Sequence, residues 1–247
     1  MSGVLLIVEY LVRVLPALVL IAAVFIWAKP RAEFRIVLYI FSFILLRDAM
    51  TPLGLWEFST RGGAFWLRLS SDPVFLVLFG LTSLAITAAL VVFDRENRPH
   101  LHFLRGNAAV GLPAGVLGGV LVVLPFLFLY RGIPLAARGG AVPSGLLPAL
   151  LVFALLGNLF EELLFRGYAM GKLNERFGRW QSAVLSGLLF AMCHVFLATT
   201  VTDAGIPLLV FTLWEGILCG LIGTKYGIIP AALTHGGAIF LLSSGLL

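Results

Sequence analysis

Long apolar runs separated by short charged loops make up nearly the whole chain. A helix crosses the hydrocarbon of a bilayer in roughly 20 residues. On that measure the pattern predicts eight spans, near 4–28, 34–58, 73–93, 108–130, 145–170, 182–201, 206–223 and 228–246. Arg47, Asp48, Pro52 and Gly54 interrupt the second, and "GTKYG" joins the last two. No connecting segment is long enough for a soluble domain, and no internal repeat is visible. The expectation is an all-α, polytopic integral membrane protein with one membrane domain, 1–247. Its first four helices occupy 1–144 and its last four 145–247.

Composition strengthens this reading. The 247 residues are 60% hydrophobic and 12% charged, whereas soluble domains carry roughly 25% charged residues. Most of the surface therefore does not face water. The net charge of +5 does not point to nucleic acid, because the arginines sit in short loops between apolar runs. Cys193 and Cys219 lie in apolar segments and give neither a disulfide framework nor a metal-binding spacing. The N-terminal run lacks a basic leader and a small-residue cleavage site, so it reads as a retained first span. Glu9 and Arg13 are four apart and can pair on one face.

Charge also sets orientation. Loops 1–2, 3–4, 5–6 and 7–8 carry Lys29, Arg31, Arg35, Arg95, Arg98, Arg105, Lys172, Arg176, Arg179 and Lys225; the opposite loops carry only Arg61, Arg68, Arg131 and Arg138. The richer set is expected in the cytoplasm, with both termini outside. In a bacterium the location would be the inner (plasma) membrane.

Against this background "LLGNLFEELLFRGYAM" is anomalous, since it places Glu161, Glu162 and Arg166 inside an apolar run. "FAMCH" ends in His194, and "LTHGG" contains His235. At about 1.5 Å per residue the glutamates lie roughly 13 Å from one span end, His194 roughly 17 Å and His235 roughly 11 Å. Three helices thus carry ionisable groups at one level, where such groups usually face a bundle interior or a wet cavity. The plain alternative is polar glue between helices. Glu162 and Arg166, at i and i+4, can pair. Glu161 points about 100° away and could serve as a general base. One imidazole could help to activate water and the other could donate to an oxyanion. Adjacent carboxylates on one helix do not flank a sugar bond, which argues against glycoside chemistry. Two histidines and a glutamate could instead hold zinc, although H-E-x-x-H is absent. The expectation is no cofactor, with zinc as the alternative.

"EELLFR", "FAMCH" and "FTLWEGILCGLIGTKYGIIPAALTH", in that order, resemble the motifs of the CPBP family of intramembrane proteases, which includes CAAX-processing endopeptidases of the Rce1 type and bacterial Abi proteins. The resemblance covers about residues 145–240. It implies an eight-helix, glutamate-dependent endopeptidase whose cavity opens to the cytoplasm. Carried over, Glu161 would be the base, His194 its partner and His235 the oxyanion donor. Glu162 and Arg166 would organise them, and Phe190 would pack the second motif's helix. One position departs from the pattern. Where the family has asparagine or aspartate four residues after the last histidine, this chain has Ile239. Thr234, Asn158, Glu215 and the backbone at Gly236 and Gly237 are the candidate replacements.

The remaining polar features have two readings each. Arg47 and Asp48 form either a self-neutralised break or a grip for a substrate's carboxylate or acidic flank. Glu215 is either a polar cavity wall or a buried protonated acid. Cys193 beside His194 points elsewhere on the helix and is not expected to act as a nucleophile. His100 and His102 read as solvated loop residues. Trp27, Trp56, Trp66 and Trp180 read as an interfacial belt, and "GVLGGV" and "GLLFA" as close-packing surfaces. The expected substrate is the C-terminal region of a membrane-tethered protein or a short hydrophobic peptide. The rival functions are a non-catalytic membrane chaperone or assembly partner and, less favoured for want of repeated halves, a proton-coupled transporter.

Overall fold

In the computed structural model, which describes residues 3–247, the apolar runs are helices: α1 (Gly3–Ala28), α2 (Ala32–Asp48), α3 (Pro73–Phe93), α4 (Ala108–Leu129), α5 (Leu147–Glu162), α6 (Met170–Leu173), α7 (Arg179–Met192), α8 (Gly205–Tyr226) and α9 (Ile228–Ser244). A π-helical segment, Leu163–Ala169, joins α5 to α6. A second, Leu197–Val201, prolongs the helix that begins with α7. Seven helical segments among the described residues are long and apolar enough to cross a membrane, and α9 is a shorter apolar helix of 17 residues. The chain is thus an almost entirely helical, polytopic membrane architecture.

The second run corrects the expected span at 34–58. Helix α2 stops at Asp48, and the following residues form an antiparallel hairpin, β1 (Trp56–Ser59) with β2 (Trp66–Leu69), paired Trp56 to Leu69 and Ser59 to Trp66. The fold is therefore not purely α. Pro52 and the left-handed Gly54 (φ 66°) end the helix. Alternating aromatic residues then favour a strand. The hairpin also displaces two of the expected belt residues. Trp66 is buried with Nε1 donating to Arg61 O, and Trp56 donates to Thr51 Oγ1. Trp27 and Trp180 stay exposed.

Loops on one face are tied to each other. Arg35 pairs with Asp94 at 2.7 Å and Lys172 with Glu33 at 3.1 Å, joining loops 1–2, 3–4 and 5–6. Residues 102–105 strap the turn between α8 and α9: Ile228 N donates to His102 O, Ile229 N to Phe103 O and Arg105 N to Tyr226 O. The His102 and Phe103 carbonyls satisfy free N–H groups at the start of α9, and Arg105 N satisfies a carbonyl at the end of α8. Gly227 (φ 101°) permits the approach, because a Cβ there would lie 2.7 Å from His102 O. His100 is not a freely solvated loop residue; its side chain packs on Gly171 and reaches Glu175 at 3.5 Å. On the opposite face Arg68 donates to Gly140 O and Leu242 O, and Thr60 donates to Asp203 O.

Small residues let the helices touch, as expected of "GVLGGV" and "GLLFA". Cβ atoms at Gly115 and Gly118 of α4 would stand 2.5 Å from Pro230 O and Thr234 Oγ1 of α9. Gly187 of α7 meets the α8 backbone at Ile217 N, and Gly220 of α8 meets Ala183 O. Helix α1 is the exception. Only 6% of its spanning window is buried, and its Glu9–Arg13 pair at 2.8 Å lies on its exposed surface. One face of α1 forms a wall of an apolar cavity of about 660 Å³, which reaches inward to α5, α8 and α9.

Candidate functional site: a polar cluster at the end of an apolar cavity

The four expected ionisable groups come together where α5, α7, α8 and α9 meet. Glu161, His194, Glu215 and His235 all line the inner end of the cavity. The rest of its wall is predominantly aliphatic and aromatic, with Phe43, Phe153 and Phe211 among its lining residues.

Adjacent glutamates on α5 diverge, as helix geometry requires. Glu161 lines the cavity, and among the described residues none hydrogen-bonds to its carboxylate. Glu162 faces the protein. Its Oε1 accepts from Arg166 Nη1 at 2.9 Å and from His235 Nδ1 at 2.9 Å. Arg166 also donates to Gly216 O of α8 at 2.8 Å, and its guanidinium lies 4.7 Å over the Phe190 ring. The i, i+4 pair was legible in the sequence, whereas the His235 bond, across 73 positions, was not. Nor was the π-helical segment, which begins one residue after Glu162. Such segments occur frequently at functional sites.

His194 occupies a break between α7 and the second π-helical segment. His194 N donates to Ala191 O, a tightened turn, before the ladder resumes with Ala198 N to His194 O. Its Nδ1 lies 2.8 Å from Phe190 O. A carbonyl can only accept, so Nδ1 carries the proton and the Nε2 lone pair is left for the cavity. Phe190 is fully buried, and its ring centre is 4.5 Å from that of His194 and 5.4 Å from that of His235. It therefore fixes both imidazoles. His235 Nε2 points toward Glu215 Oε2 at 3.5 Å, and Glu215 Oε1 has no partner. Among the described residues no three His, Cys, Asp or Glu side chains are grouped so as to hold a metal ion.

The other candidates separate clearly. Ile239 lines the cavity with an apolar side chain. Thr234 is fully buried and not in the cavity wall; its hydroxyl donates to Gly115 O and Pro230 O, so it ties α9 to α4. Gly236 and Gly237 lie in the interior of α9, where helical hydrogen bonding uses their N–H groups. Asn158 lines the cavity but spends one amide hydrogen on Ala154 O at 2.6 Å. Arg47, at the end of α2, also lines the cavity. Nε bonds Asp48 at 2.7 Å, Nη2 bonds Cys193 O at 2.8 Å, and Nη1 has no partner. Arg47 thus does more than neutralise its neighbour: it holds the residue before His194.

Comparison with known proteins finds a similarity over part of the chain. A family profile described as Type II CAAX prenyl endopeptidase Rce1-like matches residues 143–241. That segment runs from the approach to α5 through most of α9 and contains every group of the cluster except Arg47 and Asp48. No curated protein and no solved structure matches the chain. The carboxyl-terminal part of this membrane protein is therefore similar to a protease family over the segment that carries its buried glutamates and histidines.

Proposed function

We propose that this protein is an intramembrane endopeptidase that hydrolyses a peptide bond in the C-terminal region of a membrane-tethered protein. The observation that carries the reading is the Glu161 carboxylate, without a hydrogen-bond partner among the described residues, in a predominantly apolar cavity that it shares with His194 and His235. A carboxylate inside a membrane protein is costly and marks a functional site by default.

In this mechanism a water is held by Glu161 and the Nε2 lone pair of His194. Glu161 takes a proton from the water as its oxygen attacks the scissile carbonyl carbon. The tetrahedral oxyanion is met by His235, whose Nδ1 is anchored on Glu162. The C–N bond then breaks, Glu161 returns its proton to the leaving nitrogen, and an amine and a carboxylic acid depart. No cofactor is needed. A positioned general base typically contributes about 10²- to 10⁴-fold.

The predominantly apolar wall of the cavity suits a tail with one attached hydrocarbon, in keeping with the prenyl endopeptidase description of the matched family. The active site is read as opening toward the cytoplasm.

Comparative proteomics of membrane-protein C-termini tests the proposal in cells that carry the wild type or Glu161→Gln. The expected result is one precursor that accumulates uncut in the variant. Unchanged C-termini throughout would reject proteolysis. Ile239 favours a second reading, in which the cavity binds a client without cutting it. A client that co-purifies intact with both wild type and variant would select that reading.

A further inference from the structure

The expected amide after His235 is absent, because Ile239 presents only hydrocarbon to the cavity. We infer that the Glu215 side chain on α8 takes over that role and donates a hydrogen bond to the oxyanion together with His235. The inference rests on the proteolytic reading above.

Elimination narrows the choice. Thr234 is committed to Gly115 and Pro230, and the N–H groups of Gly236 and Gly237 lie within a helix. Asn158 has given one amide hydrogen to Ala154 O and keeps a second, so Asn158→Ala is the control: a loss as large as that of Glu215→Ala would overturn the assignment to Glu215. Glu215 is buried, lines the cavity and has an oxygen without a partner. Its other oxygen stands 3.5 Å from His235 Nε2, beyond the normal range of a good hydrogen bond. Both groups therefore remain free to close on a third atom, such as a carbonyl oxygen that gains negative charge.

Charge balance defines the protonation state this role needs. Around Glu215 lie Glu161, Glu162, Arg166, His194, His235 and the neutral thiol Cys219, while Arg47 in the same cavity wall is offset by Asp48 at 2.7 Å. With Glu161 and Glu162 ionised, Arg166 and His235 cationic and His194 neutral, their charges sum to zero. A protonated Glu215 leaves the cluster neutral and supplies an O–H donor. An ionised Glu215 would leave an excess negative charge in an apolar setting and would repel the oxyanion.

The test uses the full-length protein in liposomes and the precursor that accumulates with Glu161→Gln. Glu215→Gln keeps a donor and is expected to cleave within about threefold of wild type. Glu215→Ala is expected to lose about 100- to 1,000-fold, the usual effect of removing one oxyanion donor. Adding Ile239→Asn to Glu215→Ala should recover at least tenfold of that loss. Wild type should lose rate as rising pH ionises Glu215, and Glu215→Gln should lack that alkaline limb. A Glu215→Ala rate equal to wild type overturns the inference, as does equal loss in Glu215→Gln and Glu215→Ala without rescue. If Glu215→Ala fails to fold, the alkaline limb decides: its persistence in Glu215→Gln overturns the inference. Failure of Glu161→Gln to block cleavage overturns the proteolytic reading itself.

Discussion

Glu162 Oε1 stands 2.9 Å from His235 Nδ1 and also receives Arg166, so a single oxygen joins α5, the π-helical segment and α9. Glu162→Gln keeps the shape but weakens the anchor for the imidazole. The expected result is a folded protein with cleavage reduced by about 10²-fold or more, on the scale of general acid–base contributions. Arg166→Met leaves a buried carboxylate uncompensated. It should destabilise the protein by about 3–5 kcal/mol, the usual effect of breaking a buried pair. Thermal unfolding in detergent, read beside cleavage rate, separates the two.

The two glycines after His235 differ. A Cβ at Gly236 would lie 2.6 Å from Ala154 O of α5, whereas at Gly237 the nearest atom is 4.0 Å away. Gly236→Ala should push α9 from α5, stretch the Glu162–His235 contact and lower stability by about 1–3 kcal/mol. Gly237→Ala should be tolerated. Equal unfolding temperatures for the two variants would contradict this packing.

Asp94 ties the loop face together. Burial alone would raise its pKa, but hydrogen bonds from Arg35, Asn97 and Tyr39 outweigh burial and hold it below the ordinary value of 3.8. A folded-state pKa below the unfolded one stabilises the protein above the unfolded value, and that contribution is lost as pH falls through the folded value. Thermal stability should therefore drop as pH falls from about 4. Asp94→Asn should be less stable at neutral pH and should lose part of this acid dependence. A wild-type acid profile in Asp94→Asn would refute the assignment.

Arg47 and Asp48 compensate each other, so a single substitution confounds stability with binding. The double substitution R47M/D48N removes both charges and is expected to fold. If the free Nη1 receives a substrate oxygen, KM should rise about tenfold, roughly 1.4 kcal/mol, with a smaller change in kcat. An unchanged KM would restrict Arg47 to holding Cys193 O.

The hairpin shows where sequence patterning stops. Residues 56–58 read as the tail of a span and 59–69 as a connecting loop, because aromatic residues suit a membrane helix and a buried strand alike. Only the pairing of Trp56 with Leu69 decides between them. His100 likewise carried no sign in its loop that Gly171 would receive it.

The sequence by itself determined the membrane class, nearly all the helices, the paired faces of Glu162 and Arg166, and the position of Glu161, His194 and His235 within apolar runs. These follow from composition, from the length needed to cross hydrocarbon and from the fixed rise and turn of a helix. The tertiary structure decided which partner each polar group meets: His235 on Glu162, Arg47 on Cys193 O, Thr234 on α4 and Glu215 beside the last imidazole. Such contacts depend on how helices distant in sequence are rotated and spaced. Packing at Gly115, Gly187, Gly220 and Gly236 sets those rotations, and no periodicity along one helix encodes them.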